Sequence, residues 1–214
     1  MSLPDHSPEL RPGLIGARVR RREDPRLLTG RATFVDDRRI HGLVHVAFRR
    51  SDQSHARIGE IDSCAAAGRP GVIAIFTSED FARVTNPIRA TSRMAGYQST
   101  ELHGLARDKV RHVGEPIVAV VATSRYLAED ALAYIEIELD PLGAIVDVEQ
   151  AAADGAPLLH DDMSSNVLAE RNFARGDAEA AFADAALRVG ARFRVRRKTP
   201  VAMEARVCAA EYDR

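Results

Sequence analysis

The feature that most constrains this chain is a short apolar run, Ile117 to Ala122 (IVAVVA). A run of this length, rich in β-branched residues, is typical of a buried strand. Gly114, Glu115 and Pro116 stand directly before it. Pro116 removes a ladder donor and favours an extended Glu115, while Gly114 permits a tight turn. We therefore expect this tripeptide to open the strand and Glu115 to be a structural residue at a half-exposed rim. The alternative is a catalytic acid or base, which would need a partner in reach and a cleft, and the sequence identifies neither.

Other strands and helices are mixed along the chain without a regular alternation. Strands are predicted at 43–49, 72–77, 135–139, 144–148 and 187–198. Short helices are predicted after the caps Asp62, Ser78, Ser124 and Asp177. The helix after Ser124 carries an apolar stripe of Leu127, Ala131, Leu132 and Ile135. Residues 86–109 show no period and are interpreted as a surface loop. This mixture favours the α+β class.

The length of 214 residues allows one large domain, or one domain and part of another. Residues 1–15 are interpreted as a flexible tail, and 16–150 as the first domain. The loop-like stretch 151–175 is predicted to be a linker. Residues 176–214 then resemble the start of a second, incomplete domain.

Charge and hydropathy limit the classes of partner. The 30 basic and 31 acidic residues nearly cancel, so nothing draws the whole chain to nucleic acid or to anionic membranes. Basic residues do concentrate at 18–26 and on one face of the strand 187–198. These two patches suggest either a solvated or subunit-facing surface, or a nucleic-acid site. No aromatic residue interleaves with the arginines to stack bases, so we predict no nucleic-acid partner.

Three further features bear on the cell compartment. No window approaches the roughly 18–20 apolar residues of a membrane span, so no membrane partner is predicted. The first residues lack the apolar core of a signal peptide. Cys64 and Cys208 are the only cysteines, too few for a disulfide framework. We expect both to be reduced thiols in a cytoplasmic protein.

Motifs of self-sufficient catalytic or cofactor sites are missing from the sequence. His41 and His45 would lie about 13 Å apart along a strand, too far for one ion. No metal, serine-nucleophile or nucleotide-binding motif occurs. We therefore predict no catalytic, cofactor-binding or metal-ligating residue in this chain. Glu204 lies between apolar residues and is either buried and paired or at a rim.

Eight stretches occur in an order and spacing that together suggest a family. They are 16–37, 54–62, 70–80, 108–131, 140–147, 156–162, 176–185 and 199–213, including DKVRHVGEPIVAVVATSRYLAEDA and TPVAMEARVCAAEYD. In this order they resemble the N-terminal part of the molybdopterin-binding large subunit of the xanthine dehydrogenase and aldehyde oxidase family. The large chains of carbon monoxide dehydrogenases are the closest-looking branch. The chain departs from the pattern at Ala205 and Val207, where that family usually has Pro and Gly.

The resemblance implies an α/β-hammerhead domain over 16–150 and the start of a molybdopterin-binding domain over 176–214. It implies an oxidoreductase that hydroxylates carbonyl or N-heteroaromatic compounds, or oxidises carbon monoxide, at a molybdenum–molybdopterin centre. Iron–sulfur and flavin subunits or domains would be its partners. The family's cofactor loops and glutamate base match no stretch here, so this chain alone is expected to be inactive and to hold no cofactor. The alternative is a non-catalytic hammerhead module that docks on partner subunits, with homo-oligomers as a further expectation.

Overall fold

A computed structural model describes residues 16–196, 198–202 and 205–213. The chain divides into two units. Met1–His41 with Arg194–Arg214 form the terminal unit, and Gly42–Phe193 form the central unit. Each unit is organised around its own short elements, and most of the regular structure lies in the central unit.

The helices and strands are short throughout. The helices are α1 (Asp24–Leu28), α2 (Cys64–Ala67), α3 (Ser78–Val84), α4 (Arg125–Ala131), α5 (Val148–Ala151) and α6 (Ala178–Ala183). The strands are β1 (His45–Arg50), β2 (Ala56–Asp62), β3 (Val72–Phe76), β4 (Ile88–Arg89), β5 (Glu101–Leu102), β6 (Lys109–Val110), β7 (Pro116–Ala122) and β8 (Glu136–Pro141). Single 3₁₀ turns cover Val35–Asp37 and Leu132–Tyr134.

The apolar run 117–122 forms the centre of a three-stranded sheet in the order β1-β7-β3. Both neighbours run antiparallel to β7, and Phe48 of β1 and Phe76 of β3 lie opposite Ala119. Val118 and Val120 are fully buried in the core. The predicted buried strand is therefore confirmed. The outer strand β3 is only partly buried, since Ile73 retains 55% exposure, so the prediction of a buried strand at 72–77 was wrong in that respect.

A second antiparallel sheet has the order β6-β2-β8. The predicted alternation at 135–139 is confirmed, because Ile137 and Leu139 pack against the core while Glu136 and Glu138 are exposed. The register between β2 and β8 shifts between Ile58 and Ile61. This bulge leaves Glu138 beside Gly59, where an added Cβ would lie 3.0 Å from the Glu138 Cβ.

Along the chain, the helix α4 connects β7 of the first sheet to β8 of the second. Ser124 caps it as predicted, accepting a hydrogen bond from the Leu127 backbone N–H at 3.3 Å. The predicted stripe is only partly right. Ala131 and Ile135 are buried as predicted, whereas Leu132 is only half-buried. Ala128, which the predicted stripe did not include, is also buried. The helix passes into a 3₁₀ turn after Ala131, and its tighter winding changes which side chains face the core.

Two predicted strands are absent from the structure. At 144–148, Asp147 caps helix α5 by accepting hydrogen bonds from the backbone of Glu149 and Gln150, which ends any extended run. Val146 is 93% exposed. Over the described part of 187–198 no strand forms either, and Phe193 is 88% exposed. Alternation predicts which side chains share a face, but a strand also needs a hydrogen-bonding partner.

Two further predictions need correction near α3. Thr77, not Ser78, is its N-cap, in a capping box where Asp80 accepts from the Thr77 N–H at 2.9 Å. The predicted loop 86–109 contains the short strands β4, β5 and the start of β6. Leu105, within this stretch, is fully buried. The predicted helices after Asp62 and Asp177 form, and Asp177 caps α6 with a 2.9 Å hydrogen bond from the Ala180 N–H. The N-cap of α2, however, is Ser63 and not Asp62, whose carboxylate accepts from the Cys64 N–H at 2.8 Å.

Candidate functional site

The turn before β7 is held by the carboxylate that stands at its end. Glu115 Oε2 accepts a hydrogen bond from the Arg111 backbone N–H, which closes residues 111–115. Backbone bonds fix the turn to Ser51: Gly114 N–H donates to Ser51 at 2.8 Å, and Ser51 N–H donates to Glu115 at 2.9 Å. Gly114 has a φ of +87°, a conformation that L side chains rarely adopt. The contacts of Glu115 are thus those of a structural brace.

Basic side chains share the face of β6 and β2 that points away from the hydrophobic core. Arg57 lies opposite Lys109, whereas the adjoining pair Ala56 and Val110 is fully buried in the core. Because side chains alternate along a strand, Arg57 and Lys109 lie on the other face of the sheet. His55 directly precedes Ala56 and Arg111 directly follows Val110, so the same alternation is expected to place both on this face. We call these four residues the basic face.

Lys109 is the deepest member of the basic face. Its residue is 3% exposed, and its Nζ donates a 2.8 Å hydrogen bond to Asp161 Oδ1. This hydrogen bond holds the pKa of Asp161 below its usual value, with smaller contributions from the charges of Lys109, Arg57 and Arg111. A buried ammonium is costly unless it is paired, so this carboxylate compensates for much of the burial of Lys109.

His160 stands beside the same pair. Partial burial lowers the pKa of His160, and the positive charges of Arg111 and Lys109 lower it further. The carboxylates of Asp162 and Glu115 act in the opposite direction without reversing the shift. The lowered pKa favours the neutral imidazole next to two cations, Arg111 and Lys109. The cluster of the basic face with residues 160–162 can anchor a loop by charge, and it keeps a proton-accepting ring at its edge.

The loop that supplies His160 and Asp161 is tethered at a second point. The Gln98 backbone N–H donates to the Leu168 carbonyl at 2.8 Å, and its side chain donates to Val167 at 2.9 Å and accepts from Ser164 at 3.2 Å. Much of the stretch predicted as a linker, up to Leu168, is hydrogen-bonded to the rest of the central unit.

Two buried polar atoms of the basic face lack a hydrogen-bond partner. They are His55 Nε2 and Arg111 Nε. The other His55 nitrogen, Nδ1, lies 3.0 Å from the Gly143 carbonyl oxygen. An unsatisfied buried group costs about 1–3 kcal/mol. Within the central unit, this cluster is thus where buried polar atoms lack hydrogen-bond partners.

A separate open cleft lies between β2 and α3. It has a volume of about 650 Å³ and is lined by residues 58–61, by 77–79 with Ala82, and by 106–108. Glu60, Glu79 and Asp108 contribute carboxylates, against the single cation of Arg107. A molybdenum–pterin cofactor carries phosphate, and this excess of negative charge would repel it. The residues of the cleft therefore do not fit the cofactor that the resemblance implies.

The residues considered from sequence as metal ligands or acids are dispersed. His41 is exposed and His45 is half-buried at the start of β1. Among the described residues, no group of three or more His, Cys, Asp or Glu side chains could hold a metal ion. Cys64 and Cys208 are free and exposed. Glu204 lies outside the described residues.

Sequence reasoning missed the pairing of Lys109 with Asp161. The two residues are 52 positions apart, and 86–109 was interpreted as a loop, so Lys109 was not expected to be buried. The one available signal was the pattern K-V-R at 109–111, an apolar residue between two cations, which is typical of a short strand with one face in the core.

The antiparallel sheets, the helix α4 and the braced turn define a small α+β domain, as the sequence predicted. A family model described as "Aldehyde oxidase and xanthine dehydrogenase, a/b hammerhead domain" matches residues 29–143. The chain belongs to this family. The resemblance drawn from the eight stretches is confirmed.

Individual relatives agree with this assignment. The nicotine 6-hydroxylase large subunit of Paenarthrobacter nicotinovorans is 38% identical over 208 residues, which cover 97% of this chain and 25% of that protein. The crystal structure of quinoline 2-oxidoreductase from Pseudomonas putida 86 has a TM-score of 0.73 and 40% identity, covering 78% of this chain and 21% of that one. The Cu,Mo-CO dehydrogenase structure has a TM-score of 0.65 and 31% identity, covering 80% and 23%.

The chain therefore spans about a quarter of the length of the curated relative. Among the described residues, no helix is long and apolar enough to cross a membrane.

Proposed function

We propose that this chain is the N-terminal portion of the large subunit of a molybdenum hydroxylase-type oxidoreductase. The observation that carries the proposal is the asymmetric match: 38% identity covers 97% of this chain but 25% of a hydroxylase large subunit. The domain bounds proposed with it are those expected from the sequence: 16–150 as the hammerhead domain, 151–175 as a linker and 176–214 as the start of a molybdopterin-binding domain. The family model lies within the first of these ranges.

By itself the chain is proposed to be inactive and to hold no cofactor. When bound in the complete family enzyme, the molybdenum–molybdopterin group would supply the redox chemistry on a carbonyl or N-heteroaromatic substrate, or on carbon monoxide. This chain's own residues would brace the fold: Glu115 closes the turn before β7, and Lys109 holds the loop that carries Asp161. The cleft beside β2 does not fit the cofactor, so no catalytic step is assigned to it.

The proposed partners are iron–sulfur and flavin subunits or domains, in the cytoplasm. The relative is itself named as a large subunit, which supports an assembly of several chains. The free, exposed thiols of Cys64 and Cys208 support a reducing compartment.

A docking module without catalysis is the second candidate. One face of the β1-β7-β3 sheet favours it, because Val46 is 52%, Phe48 38% and Phe76 37% exposed. Register and alternation place these side chains on the same face, around Ala119 and Val121. Such an apolar face is typical of a surface that another chain covers.

Copurification separates the two candidates. The tagged chain is expressed with its genomic neighbours in a molybdenum-replete host, and partners are identified by mass spectrometry while molybdenum and iron are counted. Capture of an iron–sulfur or flavin subunit, with dehydrogenase activity only when the remainder of the large subunit is supplied, is the expected result. Near-equimolar molybdenum in the chain purified alone would overturn the proposed inactivity. Capture without activity in any combination would favour the docking module.

A further inference from the structure

Residues 157–168 form a loop that one of its own side chains closes, and we call this loop the strap. Asn166 Oδ1 accepts a hydrogen bond from the Leu159 N–H at 2.9 Å. Asn166 Nδ2 donates to the Pro157 carbonyl at 2.9 Å and to the Ala151 carbonyl at 3.1 Å. The amide thus uses both its donor and its acceptor group, and it joins the strap to the helix α5. Compact loops held by their own side chains are frequently functional.

Two tethers fix the strap to the rest of the central unit. The first is the hydrogen bond from Lys109 Nζ to Asp161 Oδ1 at 2.8 Å. The second is the Gln98 side chain, whose Nε2 donates to the Val167 carbonyl at 2.9 Å and whose Oε1 accepts from the Ser164 N–H at 3.2 Å. All of these residues belong to the central unit, so neither tether depends on the terminal unit.

Gln98 is itself held in place by its neighbours in the chain. The Ser99 hydroxyl donates to the Ala90 carbonyl at 2.8 Å. Thr100 is buried, and the strand β5 that follows pairs with β4. The strap therefore closes onto a tether whose backbone is already ordered, which lowers the conformational entropy that closing costs.

Met163 lies between the two tethers, after Asp161 and directly before Ser164, and it is buried at 7% exposure. Because Asp161 and Ser164 are so close in sequence, one closed tether holds the other within reach and raises its effective concentration. Opening at either end would also bring the Met163 side chain into water, which is unfavourable. The tethers and the buried side chain therefore support one another, as expected of a cooperative unit.

We propose that the strap opens and closes as a single unit, with Gln98 as the positioning residue at its C-terminal end. In the closed state the Leu168 carbonyl accepts from the Gln98 N–H at 2.8 Å, which fixes the point where the chain leaves the strap. In the proposed large subunit the chain continues from this point toward 176–214, so the strap would control where the molybdopterin-binding segment starts. This consequence rests on the proposed function, whereas the cooperative opening is a property of the central unit alone.

Amide hydrogen exchange of the full chain tests the proposal. The amides of Leu159 and Met163 are the reporters, because their hydrogen bonds lie within the strap and involve neither tether. Gln98→Ala and Asp161→Ala should each quicken exchange at both reporters by at least about fivefold, the effect of losing one typical hydrogen bond. In a single cooperative unit the double variant should multiply the two factors.

Two further variants show whether the Gln98 side chain acts through its bonds. Gln98→Glu keeps the acceptor for the Ser164 N–H and loses the donor to the Val167 carbonyl, so its exchange rates should fall between those of the wild type and Gln98→Ala. Gln150→Ala, at an exposed glutamine outside the strap, is the matched control and should behave as the wild type. The amide of Val120 should stay slower than both reporters, since the central sheet remains folded while the strap opens.

Three outcomes would overturn the proposal. Quickening confined to 164–168 in Gln98→Ala and to 160–162 in Asp161→Ala would mean that the tethers act separately. Reporters as slow as the Val120 amide would mean that the strap opens only when the whole unit unfolds. Equal quickening in Gln150→Ala would remove the role of Gln98. Because no cofactor or partner enters the measurement, each of these failures would leave the proposed oxidoreductase function untouched.

Discussion

Lys109 Nζ lies 2.8 Å from Asp161 Oδ1, and the two side chains differ greatly in exposure, at 4% and 70%. The ammonium is buried in the sheet while its carboxylate partner remains in water on a loop. The interaction therefore has two effects. It gives the buried ammonium of Lys109 a charged partner, and it fixes residues 160–162 over the basic face.

Replacing Asp161 with alanine should lower the free energy of unfolding of the central unit by about 1–3 kcal/mol. The loss stays below the roughly 3–5 kcal/mol of a fully buried pair, because water partly screens this carboxylate. Urea unfolding followed by circular dichroism measures it. Asp162→Ala, at the neighbouring exposed position, is the control and should change little. Lys109→Met should be milder than Asp161→Ala, since it removes the buried charge together with its need for a partner; the reverse order would contradict this account.

The shifted pKa of His160 predicts a pH dependence of stability. The unfolded imidazole has a pKa of about 6.5, and the folded one titrates below that value. The unfolded chain therefore takes up this proton first as the pH falls, and the free energy of unfolding decreases from about pH 7 down to the folded pKa. His160→Gln should flatten that part of the profile, measured by urea unfolding at a series of pH values. His41→Gln, at an exposed histidine, should leave the profile as in the wild type.

Glu115 can be tested as a brace. Glu115→Gln keeps an oxygen that accepts from the Arg111 N–H, so its stability should stay within about 0.5 kcal/mol of the wild type. Glu115→Ala loses the acceptor and should cost about 1 kcal/mol. Hydrogen exchange of the Arg111 amide should quicken in the alanine variant alone. If the glutamine variant were as unstable as the alanine variant, the negative charge rather than the hydrogen bond would be the important property.

Cys64 should react slowly for an exposed thiol. The side chain of Asp62 raises the pKa of Cys64 through a hydrogen bond and its negative charge, and so lowers the thiolate fraction. Asp62→Asn removes the charge but keeps the oxygen that accepts from the Cys64 backbone. Alkylation of Cys64 by iodoacetamide at mildly alkaline pH should therefore become several times faster. Cys208, exposed in the same chain, is the internal control, and an equal increase at both thiols would refute the local effect.

Features determined by neighbouring residues could be predicted from the sequence. The strand 117–122 was predictable because its apolar side chains are contiguous, and α4 because Ser124 precedes it. The alternation at 135–139 likewise predicted which side of β8 is buried. The strand predicted at 144–148 failed because the cap formed by Asp147 is stronger than the propensity of its neighbours.

The candidate site was harder to predict because its parts are distant in sequence. The basic face depends on the register of β2 with β6, a strand of two residues. The loop that carries Asp161 reaches it across 52 positions, and Gln98 ties that loop to the body across 66. None of these pairings leaves a periodic signal.

The sequence by itself determined the α+β class, the family and the central strand, since each rests on local pattern or on stretches of matching residues. Only the tertiary structure decided that Lys109 is buried, that part of the predicted linker is tethered, and that 187–196 pairs with no strand among the described residues. The physical reason is that burial and strand pairing are properties of two segments brought together, and a single segment carries only half of that information.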